Sequence, residues 1–244
     1  MGLIKRIRYI LILIASLFHF RNRSKVIFYH DIHSSKPYCD TSTPIELFQK
    51  HIQIIYERGY EIVRTITKEY GQIEICFDDA YLGLYENIEF LRDHQIPIHL
   101  FVISSYIDRE GYISKKQLLE LSKSNLVKIS SHTHTHSVLN KLNENDLVRE
   151  LEQSKEILEA LIGNTVDSIC YPEGKFNQKI IQIAQLAGYK RQYSSLPGFF
   201  SNKFEKNVIK RSLVQFSEKN EFKAILKGGD HFLLLWYKLK HFKK

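Results

Sequence analysis

Short apolar runs separated by amphipathic stretches recur along most of this chain, and that alternation restricts its fold more than any other feature. Val26–Tyr29, Glu61–Val63, Ile73–Phe77, Ile96–Ile103, Val127–Ser130 and Val166–Tyr171 read as strands. Pro44–Arg58, Leu82–Arg92, Lys115–Ser122, Asn143–Ile162 and Gln178–Ala187 read as helices. Asn143–Ile162 is the clearest of these: Leu147, Leu151, Ile157-Leu158 and Leu161 mark its core face, and Gly163 ends it. Further short strands are expected near Lys190–Ser194 and Val208–Val214. This order predicts an α/β fold, a parallel sheet with outer helices, open or closed into a barrel. No linker stands out, so residues 26–228 read as one domain. A basic-flanked apolar segment, 1–25, precedes it and a basic helix, 229–244, follows.

Two of the strands end in side chains that can hold a metal. Asp78 and Asp79 follow Ile73–Phe77, and His132, His134 and His136 follow Val127–Ser131. Strand ends are where α/β enzymes place their chemistry. Either aspartate has a simpler use, as the cap of a helix beginning near Ala80. Two adjacent carboxylates are costly, however, unless a cation or hydrogen bonds compensate them. Only one easily points toward an ion, which suits one metal ligand and one general base. In a helical turn His132 and His136 share a face; in a strand all three histidines do. Alone, the histidines would read as a polar loop, and the aspartates change that balance.

Charge and cysteines narrow the classes. Cys39, Cys76 and Cys170 are odd in number and widely spaced, which argues against a disulfide framework and excludes a four-cysteine zinc site. Cys76 and Cys170 sit in apolar runs and are expected as buried free thiols. The net charge of +8 is concentrated at the ends. Lys5, Arg6, Arg8, Arg21, Arg23 and Lys25 precede the first acidic residue, Asp31, while Lys238, Lys240, Lys243 and Lys244 crowd the other terminus. A near-neutral centre speaks against a nucleic-acid partner. Basic ends beside apolar stretches point to an anionic membrane surface. Tyr9–Phe20 is shorter than the ~20 residues that span a bilayer, so an interfacial helix or weak anchor is expected, with a helix packed on the domain as the plainer alternative. Phe232–Phe242, with Trp236 and Tyr237, is expected as a terminal helix with a basic edge.

Four stretches together resemble one known family. Phe77-Asp78-Asp79-Ala80-Tyr81 resembles the FDDGY motif of polysaccharide deacetylases, the NodB-homology carbohydrate esterases. Ser131-His132-Thr133-His134-Thr135-His136-Ser137-Val138-Leu139 resembles their S-H-T-x-x-H-x-x-L motif, and Tyr171-Pro172-Glu173-Gly174 their Y-P-x-G motif. Phe28-Tyr29-His30-Asp31-Ile32 is similar to the opening M-Y-H-x-I of the branch that deacetylates poly-N-acetylglucosamine. The order is that branch's order, and the resemblance runs from Val26 to Arg211.

The resemblance implies a distorted (β/α) barrel with fewer than eight strands. It implies one divalent metal ion held by Asp79, His132 and His136, with Asp78 as general base and His30 as general acid. Tyr171, Pro172 and Glu173 would face the substrate and its oxyanion. Zinc is the first choice for such ligands; cobalt, nickel or iron fit similar sets. The implied reaction removes N-acetyl groups from the amino sugars of a cell-envelope or exported glycan, in polymeric or lipid-linked form. With the basic termini, that places the chain at a membrane, on the cytoplasmic face or exported and anchored. A silent glycan-binding protein and an O-acetyl esterase of the same fold are the alternatives. The chain departs from the family pattern in four places. Ala80 stands for a usual glycine and is tolerable only at negative φ. Glu173 stands where an aromatic residue is common. No arginine precedes Tyr171-Pro172 to orient the base. The late Leu-x-His motif has only His231 and His241 as candidates.

Overall fold

The structure is a computed structural model that describes residues 3–18, 22–201, 208–234, 236 and 237. Helix α1 (Leu3–Ser16) leads to β1 (Lys25–Tyr29), a small parallel pair β2 (Asp31–His33) and β3 (Ser42–Pro44), then α2 (Ile45–Glu57), β4 (Glu61–Val63) and β5 (Gln72–Phe77). Helices α3 (Leu82–Glu86) and α4 (Ile88–Asp93) lead to β6 (Ile98–Val102), α5 (Lys115–Ser122) to β7 (Val127–Ser131), α6 (Glu144–Ile162) to β8 (Ser168–Cys170), and α7 (Gln178–Leu186) to β9 (Arg191–Tyr193). Strands β10 (Val208–Ile209) and β11 (Arg211–Leu213) and helix α8 (Lys219–Leu226) follow.

Every strand pairing is parallel, in the order β10-β9-β8-β7-β6-β5-β1-β11, with β4 beside the start of β5. Only Lys210 separates β10, which pairs with β9, from β11, which pairs with β1. That segment therefore closes the sheet on itself, and among the described residues the barrel has seven staves, fewer than eight as expected. Most helix bounds match the sequence reading because their ends are chemically marked. The Asn143 side chain accepts from Asp146 N–H, Gly163 takes the left-handed φ of 67°, and Ser114 and Gln117 form a capping box before α5. The expected single helix Leu82–Arg92 is instead two, broken at Asn87, whose side-chain amide donates to the Gly83 carbonyl at 2.8 Å. Such local bonding competes with the helical ladder.

The barrel interior is polar at both ends and apolar between. Phe28, Cys76, Phe101, Cys170 and Tyr193 fill its middle. At the end where the strands begin, Glu74 accepts from His99 Nδ1–H at 2.7 Å, and Ser130 O–H lies 2.7 Å from His99 Nε2. Beside it, Lys25 is buried and pairs with Asp230 at 2.8 Å, so this member of the basic N-terminal set belongs to the barrel floor. Outside the barrel, buried His51 on α2 bridges the Tyr29 hydroxyl and the Ser217 carbonyl, at 2.8 and 2.7 Å. Helix α1 packs on α8, with Arg8 3.1 Å from Glu221. A β-carbon at Gly229 would lie 2.2 Å from the Ile12 carbonyl oxygen, so only glycine lets α1 seat this closely. Lys238, Lys240, His241, Lys243 and Lys244 lie outside the described residues.

Burial pushes the pKa of both His99 and His51 down to about 4, so each is neutral in the fold. A histidine depressed in this way contributes stability above its unfolded pKa of ~6.5 and loses it as pH falls toward the folded value. Lowering the pH from 7 to 5 is expected to remove about 2 kcal/mol per histidine. Urea unfolding at the two pH values checks this. A His51→Gln variant should show the shallower pH dependence, and an equal slope would contradict the assignment.

Candidate active site

At the carboxyl ends of β5 and β7, two tight turns bring the sequence-predicted residues together. Asp79 and Ala80 take φ values of 72° and 62° in the turn after β5. The expectation of a negative φ at Ala80 is thus overturned. A non-glycine residue costs about 1–2 kcal/mol there, and the loop after β6 holds the turn in place. Ile113 N–H donates to the Ala80 carbonyl, Leu82 N–H donates to Gly111, and Tyr81 bridges to Tyr112. Neither aspartate caps α3, whose N-cap is Tyr81 with no side-chain bond.

The histidine segment is neither helix nor strand. Thr133 and His136 have φ of 67° and 63°, and His136 N–H donates to the Thr133 hydroxyl at 3.1 Å. Buried Glu150, on α6, accepts from the N–H groups of His134 and Thr135 at 3.0 and 2.8 Å. The result aims His132 and His136 at Asp79 and leaves His134 on Ser104, 2.8 Å from its hydroxyl. Asp79 Oδ1 lies 3.4 Å from His132 Nε2 and 3.6 Å from His136 Nε2.

This trio fits a divalent cation. Its ligand atoms all lie within 4.8 Å of one another. Asp79 Oδ1 is buried with no hydrogen-bond partner, a costly state for a carboxylate oxygen unless a cation satisfies it. His132 Nδ1–H donates to the Cys170 carbonyl at 2.8 Å, which fixes the tautomer and leaves the Nε2 lone pair toward Asp79. Sequence reasoning named all three residues but gave no signal for Glu150.

Asp78 lies beside them, buried, and its partner is a residue sequence reasoning missed. Both oxygens accept from Arg211 of β11, at 2.7 Å each. Burial works to raise the Asp78 pKa, but the Arg211 charge and hydrogen bonds outweigh it, with smaller help from His132 and His30. The carboxyl is held well below its usual range. Arg211 is itself clamped: it donates to the Ser194 carbonyl at 3.1 Å and its guanidinium lies 4.3 Å from the Phe28 ring centre. An arginine therefore does hold Asp78, from the stave that closes the barrel rather than from beside Tyr171-Pro172.

His30, just past β1, is half-buried and within electrostatic reach of Asp78. Its Nδ1 lies 2.7 Å from Gln215 Oε1, so Nδ1–H donates and Nε2 is left for chemistry. Tyr171 is buried; its hydroxyl donates to Gln192 at 2.6 Å and its N–H to the Tyr193 carbonyl at 3.0 Å. Both of these donors are thus engaged within the fold. Pro172 has no N–H to donate. Glu173 has φ of 55° and pairs with Lys175 at 2.5 Å. That bond, with His136 behind it, holds its carboxyl below the ordinary range. Gly174 closes the turn where a β-carbon would lie 2.0 Å from the Ser195 hydroxyl. His231 stacks on Phe199 beside the barrel floor, away from the site.

The polysaccharide deacetylase family profile matches residues 65–191, a span that holds Asp78, Asp79, His132, His136 and Tyr171 but neither His30 nor Arg211. The poly-β-1,6-N-acetyl-D-glucosamine N-deacetylase of Staphylococcus aureus is 30% identical over 134 residues, 49% of this chain and 46% of that one. YxkH of Bacillus subtilis is 24% identical over 184 residues, 71% of this chain and 64% of that one. The chain thus spans about half to two thirds of the length of these curated relatives. Among solved structures, the Streptococcus pyogenes deacetylase PplD in complex with acetate superposes with a TM-score of 0.73 at 19% identity, covering 83% of this chain and 97% of that one. IcaB from Ammonifex degensii gives 0.73 at 18%, covering 85% and 98%. These two likenesses establish a shared fold. With a profile match over more than half of its 244 residues, the chain belongs to the polysaccharide deacetylase family.

Proposed function

We propose that this chain is a metal-dependent hydrolase that removes N-acetyl groups from the amino sugars of a cell-envelope or exported glycan. One observation carries the reading: Asp79, His132 and His136 converge around a buried, unpartnered carboxylate oxygen directly beside the Asp78–Arg211 pair. Asp79, His132 and His136 would hold the ion, zinc before cobalt, nickel or iron. When bound, a divalent ion makes a water proton more acidic and polarises the amide carbonyl.

The remaining steps belong to the protein. Asp78 stays ionised at physiological pH because Arg211 holds it so, and each oxygen keeps a lone pair beyond its bond to the guanidinium. It takes the proton of the attacking water. Arg211 makes it a weak base, so transfer is favourable only from an acidified water. A backbone N–H in the turn after Tyr171, such as that of Glu173, would support the developing oxyanion. His30 in its imidazolium form, its Nδ1–H held by Gln215, gives the Nε2 proton to the departing nitrogen. The products are a free amino sugar and acetate. The poly-N-acetylglucosamine activity in the name of the Staphylococcus aureus relative supports an N-acetylglucosamine polymer as the first substrate to try. A lipid-linked form of such a glycan, met at the cytoplasmic face of a membrane, belongs to the same proposal.

Bound-metal stoichiometry tests the site. The purified protein supplied with zinc is expected to hold about one ion per chain, as a catalytic centre of three protein ligands does. A folded His132→Ala/His136→Ala variant should hold none. No ion in either protein would overturn the metal-dependent reading.

A further inference from the structure

Helix α1 has two apolar faces, and the barrel uses only one. Ile12 and Ser16 are buried against the domain. On the opposite side Ile7, Ile10, Leu11, Ile14, Leu17 and Phe18 are between 44% and 76% exposed. Their spacing of three and four places them in a single stripe along the helix and the turn after it. A stripe of this size is unusual on a free monomer surface.

We propose that this outer stripe is a docking surface for an anionic lipid bilayer, with α1 lying in the plane of the membrane. The chemistry favours lipid over a protein partner. The helix contains no acidic residue, so hydrocarbon is accompanied only by cations, with Arg6 exposed near its start. Trp236 is 55% exposed, and its neighbour Tyr237 lies within the field of Arg8, so an aromatic pair borders the helix. Aliphatic stripe, cationic end and flanking aromatics are the composition of an interfacial helix. At 14 residues α1 is about 21 Å long, short of the ~30 Å hydrocarbon core. Among the described residues no helix is long and apolar enough to cross a membrane.

The docked orientation bears on the site. Arg8 pairs with Glu221 in the first turn of α8, just past Gln215, which holds His30. At its other half, Ile12 lies on Gly229, next to Asp230 and the barrel floor. Helix α1 thus runs down the flank of the barrel from the active-site end. A bilayer against its outer face leaves the cleft opening along the surface, where a lipid-linked glycan would present its sugars. That consequence rests on the deacetylase reading; the docking does not.

The 244-residue chain is tested with vesicles of phosphatidylcholine alone and with roughly a third phosphatidylglycerol. Expected results are co-sedimentation with the anionic vesicles, weaker binding to the neutral ones, and a blue shift of emission from Trp236, the single tryptophan. An Ile10→Asp/Ile14→Asp variant should bind at least about tenfold more weakly. Its thermal midpoint and its acetate release from a soluble N-acetylglucosamine oligomer should be unchanged. No wild-type binding to either vesicle would overturn the proposal. So would a dimer by light scattering that the double variant splits, since a second copy would then cover the stripe. Vesicle binding without acetate release from any glycan would uphold the docking and overturn the catalytic reading instead.

Discussion

Replacing Asp78 by asparagine is expected to lower acetate release from an N-acetylated glycan about a thousandfold, the middle of the range for loss of a positioned general base. Ion binding should persist. The two adjacent carboxylates divide the work. Asp79 faces His132 and His136, whereas both oxygens of Asp78 are turned to Arg211. Asparagine keeps the shape and one acceptor oxygen but cannot take a proton from water. Asp79→Asn should behave differently, losing the ion together with activity. The measurement is acetate release beside bound-metal content, with the unfolding midpoint as a control, because the variant leaves the Arg211 charge without its counter-ion. Full activity in Asp78→Asn with the ion bound would remove Asp78 from the role of base.

The aspartate–histidine constellation was legible in the sequence because strand ends and turn motifs are local. Asp78 and Asp79 close one apolar run and His132 the next but one, and parallel pairing of β5, β6 and β7 brings those ends side by side. The parts that support the constellation were not legible. Arg211 lies 133 positions from Asp78, and nothing in Val208–Val214 separates a buried arginine from a strand-edge one. Only the closing of the barrel turns β11 toward β5 across β1. Glu150 reads as one more polar residue on an amphipathic helix, yet it holds the histidine turn. Backbone strain is hidden from the sequence for a related reason. Asp79, Ala80, Thr133, His136 and Glu173 all take positive φ without being glycine. Each costs on the order of 1–3 kcal/mol and persists because surrounding bonds enforce it. That strain is concentrated where ligands are aimed, and a glycine-based rule does not find it.

The Asp78–Arg211 pair should show its worth in a second substitution. Arg211→Met is expected to destabilise the protein by about 3–5 kcal/mol at pH 7, the usual cost of stranding a buried charge. Methionine matches much of the aliphatic volume against Phe28 and Phe101, so lost packing is the smaller part. The pH dependence separates the two. In the native protein the depressed Asp78 pKa contributes stability above the unfolded value of ~3.9 and loses it as pH falls toward the folded value. Without Arg211 its opposing effect is gone, and burial raises the folded pKa instead. The variant is then least penalised below the unfolded pKa, and its deficit grows as pH rises through the raised one. The gap between the two proteins should therefore be wide at pH 7 and narrow by about pH 3. Adding Asp78→Asn to Arg211→Met should recover part of the loss at pH 7, since no charge is then stranded. Urea unfolding of the three proteins at both pH values decides the matter. A gap independent of pH would mean that Arg211 acts through packing alone and that Asp78 owes its ionised state to other groups.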